Sequence, residues 1–113
     1  MEPLAALDSA ALLEGGRAVV VVGGARIALA RVGGTVYAIA DTCPHRGGSL
    51  GSGDLAGHHL YCPQHAWCFD VRTGDAFFPK GARVATHRVE ERAGQIFVDP
   101  LGVLPPIDFV PPT

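Results

Sequence analysis

Cysteine and histidine occur together twice in this chain, in two short stretches rich in proline and glycine. One residue separates Cys43 from His45, two residues separate Cys62 from His65, and sixteen residues lie between the pairs. Thiolate sulfur and imidazole nitrogen both bind transition metals, and a thiolate beside an imidazole can also act as a nucleophile. The four side chains are therefore candidates for a metal centre or for a catalytic dyad.

Three interpretations that need no iron compete for these pairs. Buried cysteines pack as small hydrophobic residues, but chance explains a single residue better than two matched pairs. A zinc ion accepts two thiolates and two imidazoles, although paired zinc ligands are typically about two to four residues apart and only one residue separates Cys43 from His45. A Cys/His dyad needs one pair only. A zinc-binding interaction module stays open as an alternative.

A [2Fe–2S] cluster with two histidines on one iron and two cysteines on the other uses both pairs. The stretches CPHRGGSLGSGDL and LYCPQHAWCFDVRTGDAFFP resemble the cluster-binding region of Rieske-type ferredoxins, and the likeness extends over roughly residues 14–99. The resemblance implies that Cys43 and Cys62 bind the inner iron of a Rieske cluster. It also implies that His45 and His65 bind the outer iron and face the surface.

The same resemblance implies a function in electron transfer. The chain would be a one-electron carrier, not itself an enzyme, that passes electrons from an NAD(P)H-dependent flavin reductase to a terminal oxygenase. Both partners would dock transiently near His45 and His65. The CPHRGG stretch and the short chain also resemble the small subunits of assimilatory nitrite reductases, which gives the alternative function. No acid/base pair or nucleophile triad accompanies the four residues.

Four further positions bear on the reduction potential through the resemblance. High-potential Rieske proteins bridge their cluster loops with two cysteines, where this chain has Gly48 and Gln64. Those proteins also direct hydroxyl groups at sulfur from the positions of Trp67 and Phe69. Fewer hydrogen bonds to sulfur predict a potential at the low end of the Rieske range, roughly −150 mV. Ala66 departs from the family pattern, which usually has glycine there.

Strands and tight turns are expected to position the two loops. Three segments are rich in β-branched residues or alternate between apolar and polar side chains: 18–22, 25–32 and 35–40. Gly-Gly pairs connect them, which predicts a three-stranded antiparallel meander. Residues 83–91 and 95–99 are predicted to form a hairpin. The expected fold is all-β, a Rieske-type fold of antiparallel sheets.

Periodicity is lost between residues 41 and 80, which predicts a loop-rich cluster-binding insert carried by the β scaffold. Short strands are expected at residues 59–62 and 67–71 within it, and the only helix is predicted at residues 9–13. The proline-rich tail, residues 100–113, is expected to be extended. Its apolar side chains are expected to pack along the scaffold: Leu101, Leu104, Ile107 and Phe109.

Composition indicates one soluble domain over residues 1–113. Hydrophobic residues make up 48% and charged residues 18% of the chain, and the formal net charge is −2. That balance argues against a broad basic face for nucleic acid or an anionic membrane. The first residues lack the features of a signal peptide, no window suits a membrane span, and three cysteines suit a reducing compartment. We expect a cytoplasmic monomer.

Overall fold

Ten β-strands form three antiparallel sheets in the part of the chain that the structure describes, as the sequence predicts for an all-β fold. The computed structural model describes residues 3–45, 47–64 and 67–104. The strands are β1 (Leu4–Asp8), β2 (Arg17–Val22), β3 (Ala25–Val32), β4 (Thr35–Ala40), β5 (Leu55–Ala56), β6 (His59–Tyr61), β7 (Cys68–Asp70), β8 (Ala76–Phe78), β9 (Val89–Arg92) and β10 (Gln95–Val98). Two single-turn 3-10 helices occur at Ser9–Ala11 and Leu50–Ser52.

The central sheet has the order β2-β3-β4 and confirms the predicted meander. Each of its two turns is a Gly-Gly pair, and all four glycines have positive φ: 56° and 81° at Gly23 and Gly24, 61° and 81° at Gly33 and Gly34. Two consecutive left-handed residues are the requirement of a type I′ hairpin, which glycine meets without strain. The turns therefore fix the register of β3 against both neighbours.

The β3 strand is buried on both faces, which alternation alone did not indicate. Ile27 and Leu29 pack with residues of β10 in one core. Ala28 and Ala30 pack in a second core with Cys43, Cys62 and Leu50. The two cores lie on opposite sides of the same strand because successive side chains point to opposite faces. The central sheet is thus the middle layer of three.

The outer sheet on one side has the order β1-β10-β9. The predicted hairpin is confirmed for β9 and β10, with Ala93 and Gly94 at its turn. Residues 83–88 were predicted as part of its first strand, and that prediction is wrong. Their backbone groups bond to several segments in turn: Val84 to Gly74, Ala85 to Ala40 and His87 to Ala38. Residues 85–87 lie beside β4 through one isolated antiparallel bridge between Thr86 and Ile39, and this local pairing does not extend into a continuous strand.

The sheet on the other side has the order β5-β6-β7-β8 and lies within residues 41–80. The strands predicted at 59–62 and 67–71 are confirmed as β6 and β7, each shorter than expected. The sequence missed β5 and β8, which have two and three residues. This small sheet carries the second cysteine–histidine stretch between β6 and β7.

Both ends of the chain differ from expectation. The segment predicted as a helix forms only the 3-10 turn at Ser9–Ala11, and it follows β1, a strand that was not predicted. Leu101 and Leu104, expected to pack inward, are 62% and 53% exposed. The tail instead meets the body through its backbone, since Val103 exchanges hydrogen bonds with Thr86. Ile107 and Phe109 lie outside the described residues. No described helix is long and apolar enough to cross a membrane.

Candidate metal centre

The first cysteine–histidine stretch lies in a tight loop that follows β4. The Cys43 N–H donates to the Gly48 carbonyl and the Gly47 N–H donates to the Cys43 carbonyl, both at 2.8 Å. Gly47 has a φ of 74°, which lets the chain reverse at this point. As a result Cys43 points into the interior and is 1% exposed, whereas His45 is exposed at the loop tip.

The second stretch lies between β6 and β7. Cys62 is 3% exposed, and its N–H donates to the Trp67 carbonyl at 2.8 Å, which closes the loop at its base. His65 and Ala66 lie outside the described residues, so the departure from glycine at position 66 is not tested by the structure. Three of the four predicted ligands are therefore placed by the structure, and the fourth lies on a loop whose two ends are placed.

The two loops lie against each other. A Cβ atom built on Gly48 would be 2.7 Å from the Cys62 sulfur and 3.5 Å from the Gln64 side chain. The ring of His45 stacks on Trp67, with centroids 4.6 Å apart and planes 7° from parallel. The first loop thus contacts the second through its glycine and through its histidine. Gly48 and Gln64, the positions that a bridging disulfide takes in high-potential Rieske proteins, are neighbours here.

The arrangement fits a cluster with unlike ends. Both cysteines belong to an apolar core that also contains Leu50, Leu60 and Phe69, so their sulfur atoms are shielded from water. His45 is exposed. A buried thiolate pair with an exposed imidazole matches a [2Fe–2S] cluster with an inner and an outer iron. Within the described residues no three histidine, cysteine or acidic side chains form a closed metal site; His65 is not among them.

Asp41 is a residue of the site that sequence analysis missed. It follows β4 directly, is 1% exposed, and accepts hydrogen bonds from Ser49 Oγ at 3.0 Å and from the Gly51 N–H at 2.7 Å. Arg26 Nε donates to its other oxygen at 2.8 Å. The only signal in the sequence was a carboxylate next to a strand end, which is common at turns.

Gly53 is the second residue that was missed. It lies against the backbone of Tyr61, so close that a methyl group built on it would overlap the Tyr61 carbonyl oxygen. The Gly53 carbonyl also accepts a hydrogen bond from Arg17 Nε at 2.6 Å. Since Tyr61 precedes Cys62, the absence of a side chain at Gly53 determines how closely the segment around Gly53 can approach β6 next to the site.

Other side chains around the small sheet have packing roles. His58 and His59 are half-buried, with ring contacts to Tyr37 at 5.8 Å and to Phe77 at 4.8 Å. Cys68 is 1% exposed and packs in the interior. The electrostatic influence of the neighbouring Cys68 side chain, followed by burial, raises the pKa of Tyr61.

The segment after β8 comes next to the second loop. Phe78 pairs with Cys68 across the sheet, so the antiparallel register brings Pro79 toward Trp67. Phe77 and Phe78 are 64% and 54% exposed, and Pro79 is half-buried.

Known proteins resemble this chain both in sequence and in fold. The model of the family described as "Rieske [2Fe-2S] domain" matches residues 2–88. Ferredoxin CarAc of Metapseudomonas resinovorans is 40% identical over 78 residues, which is 68% of this chain and 73% of that protein. The 3-phenylpropionate/cinnamic acid dioxygenase ferredoxin subunit of Escherichia coli (strain K12) is 40% identical over 65% of this chain and 71% of its own length.

Solved structures agree with the sequence matches. The ferredoxin of carbazole 1,9a-dioxygenase from Nocardioides aromaticivorans IC177 has a TM-score of 0.83 at 29% identity, with 89% of this chain and 100% of that chain covered. A ferredoxin–oxygenase complex of carbazole 1,9a-dioxygenase matches with a TM-score of 0.81, at 32% identity over 88% of this chain and 94% of that chain. A putative small subunit of nitrite reductase shares the fold alone, at 21% identity.

Proposed function

The chain belongs to the Rieske [2Fe–2S] domain family, and from that premise we propose that it is the ferredoxin component of a Rieske oxygenase system. It is an electron carrier with a [2Fe–2S] cluster and not itself an enzyme. The observation that carries the proposal is the contact between the two loops, which sets buried Cys43 and Cys62 beside exposed His45.

Each proposed ligand has a distinct task. Cys43 and Cys62 would hold the inner iron in an apolar interior, and His45 and His65 would hold the outer iron. When bound, the cluster supplies a one-electron redox centre whose charge stays low because imidazoles replace two thiolates. Leu50, with Leu60 and Phe69 in the same core, excludes water from the sulfur side. Trp67 stacks on one face of the His45 ring, and His45 is exposed.

The partners follow from this exposure. A terminal oxygenase would accept the electron at the loop tip near His45 and His65, after an NAD(P)H-dependent flavin reductase had delivered it there. Gly47 and Pro79 flank that tip, and the exposed rings of Phe77 and Phe78 continue the surface along β8. Such a surface suits a brief, weak encounter, which a shuttle that must dock and leave repeatedly requires. A monomer in the cytoplasm would suit that role.

A permanent subunit of an assimilatory nitrite reductase is the second candidate. The observation in its favour is the row of exposed apolar side chains at the tail: Leu101, Val103 and Leu104. A row of this kind could form an assembly surface. Gel filtration separates the two candidates. A stable complex that survives the column favours the nitrite reductase subunit, and elution as a monomer favours the shuttle.

The first test is the visible and EPR spectrum of the purified protein before and after dithionite. We expect a coloured oxidised form and a reduced signal typical of a [2Fe–2S] cluster with two histidine ligands. His45→Ala and Cys62→Ser should abolish that signal, and His59→Ala, which alters a histidine outside the site, should retain it. Colourless protein with stoichiometric zinc would contradict the proposal. Oxygenase turnover that depends on the protein and a flavin reductase would then identify the partners.

A further inference from the structure

Asp41 is a carboxylate in the interior whose side chain joins the end of the first cluster loop to β3. It is 1% exposed. Ser49 Oγ and the Gly51 N–H both donate to Oδ1, at 3.0 and 2.7 Å, and Arg26 Nε donates to Oδ2 at 2.8 Å. A buried carboxylate is tolerated only when its oxygen atoms are paired in this way.

The backbone of Asp41 adds two further bonds at the same place. Its carbonyl accepts from the Leu50 N–H at 2.8 Å, and its N–H donates to the Arg26 carbonyl at 3.1 Å. Thr42 and Ser49 pair as an isolated bridge just above. The residues that begin and end the loop are therefore joined at its base, and the base is attached to β3 through Arg26.

Movement of this loop would separate the carboxylate from its partners. If Ser49 and Gly51 moved away, the Asp41 charge would remain buried with Arg26 alone, which costs far more than the same loss at the surface. Gly51 also lies close to β2, because a Cβ atom built on it would be 2.6 Å from Val19 and 3.0 Å from the Ala18 carbonyl. The loop base thus leaves no room for a side chain at position 51.

We propose that Asp41 is a positioning residue for the cluster: it fixes the backbone between Thr42 and Gly51, so that Cys43 and His45 are in place before iron binds. The inference rests on the proposed function only for the identity of the bound group. The proposal predicts that Asp41, which is not a ligand, slows the loss of the cluster and keeps the geometry of the ligands uniform.

The test compares three substitutions in the cluster-loaded protein. Asp41→Asn preserves size but removes the charge and one acceptor. Arg26→Gln changes a half-exposed side chain and leaves the carboxylate without its cation. Glu91→Gln is the matched control, because it breaks an ion pair with Arg31 at 2.6 Å in the sheet remote from the loops. We measure the rate of cluster loss to an iron chelator well below the unfolding temperature, the width of the reduced EPR signal and the thermal midpoint.

We expect Asp41→Asn to release its cluster about tenfold faster, the size expected for one hydrogen bond to a charged group, and to broaden the EPR signal. Arg26→Gln should change both in the same direction, which keeps the test valid if Asp41→Asn fails to fold. Glu91→Gln should lower the thermal midpoint without affecting either. The inference is overturned if the loop variants match the control in cluster loss and EPR width. Failure of the proposed function would instead appear in the spectrum of the unaltered protein.

Discussion

Replacing Gly53 by alanine should damage the site from a position that binds no iron. Gly53 has a φ of −87°, which any residue adopts, so alanine is not excluded by backbone conformation. It is excluded by space. The added methyl group would overlap the Tyr61 carbonyl oxygen, and it would lie 2.9 Å from the carbonyl carbon and 3.3 Å from Pro63 Cδ. These atoms flank Cys62 on both sides.

The size of the effect follows from which atoms must move. The Tyr61 carbonyl is backbone in β6 and cannot rotate away as a side chain would. Overpacking of a closed site costs about 1–3 kcal/mol, and 2 kcal/mol corresponds to a fall in Tm of roughly 10 °C for a domain of this size. Moving the segment around Gly53 away from β6 also disturbs the hydrogen bond from Arg17 Nε to the Gly53 carbonyl. We therefore expect a lower Tm together with reduced cluster content.

Gly57→Ala provides the matched control. Gly57 lies between β5 and β6 in the same small sheet, has a φ of 59°, and has no atom within 4 Å of a built Cβ. Alanine there costs about 1 kcal/mol through its backbone conformation alone. The assay is iron and sulfide content per chain, with Tm from circular dichroism. The reasoning is refuted if Gly53→Ala carries as much cluster as Gly57→Ala and unfolds at the same temperature.

Two further predictions concern redox and pH behaviour. Voltammetry should give a reduction potential of roughly −150 mV, because Trp67 and Phe69 offer no hydroxyl to sulfur; a midpoint above roughly +100 mV would contradict this reasoning. The hydrogen bond from Arg31 lowers the pKa of Glu91 below its ordinary value of 4.5, and the N–H groups of Gly34 and Gly33 lower the pKa of Glu14 likewise. Both carboxylates therefore stabilise the fold fully above pH 4.5 and lose that effect as the pH falls through their folded-state pKa values. Acid titration of the thermal midpoint should show a smaller decline in Glu91→Gln than in the unaltered protein.

The parts of the fold that sequence predicts are those with a local cause. Gly-Gly pairs between β-branched runs determine two hairpins without help from the rest of the chain, and the Ala93-Gly94 turn determines a third. The strand β1 has no such signal. It pairs with β10, at the other end of the sequence, and Leu4 faces Val98 there. Only the folded sheet brings these segments together, so β1 was not predicted from the sequence.

The same distinction holds at the site. The spacing of cysteine and histidine in two short stretches is a local pattern, and it was enough to predict the family, which the family match confirms. The ligand set itself stays a prediction. Asp41 and Gly53 depend on contacts with residues distant in sequence, such as Arg26 and Arg17. A carboxylate at a strand end and a glycine in a glycine-rich loop have many ordinary explanations, and their contacts appear only in three dimensions.

The alanines of β3 explain how a small domain can hold its cluster loops closely. Ile27 and Leu29 fill the space toward β10, where two sheets pack face to face. On the opposite face Ala28 and Ala30 are short, so the first loop and the turn at Leu50–Ser52 can approach the strand. Larger residues at these two positions would push that turn outward and separate Gly51 from the Asp41 carboxylate. The sequence of the central strand therefore controls the geometry of the site, although none of its residues is a ligand.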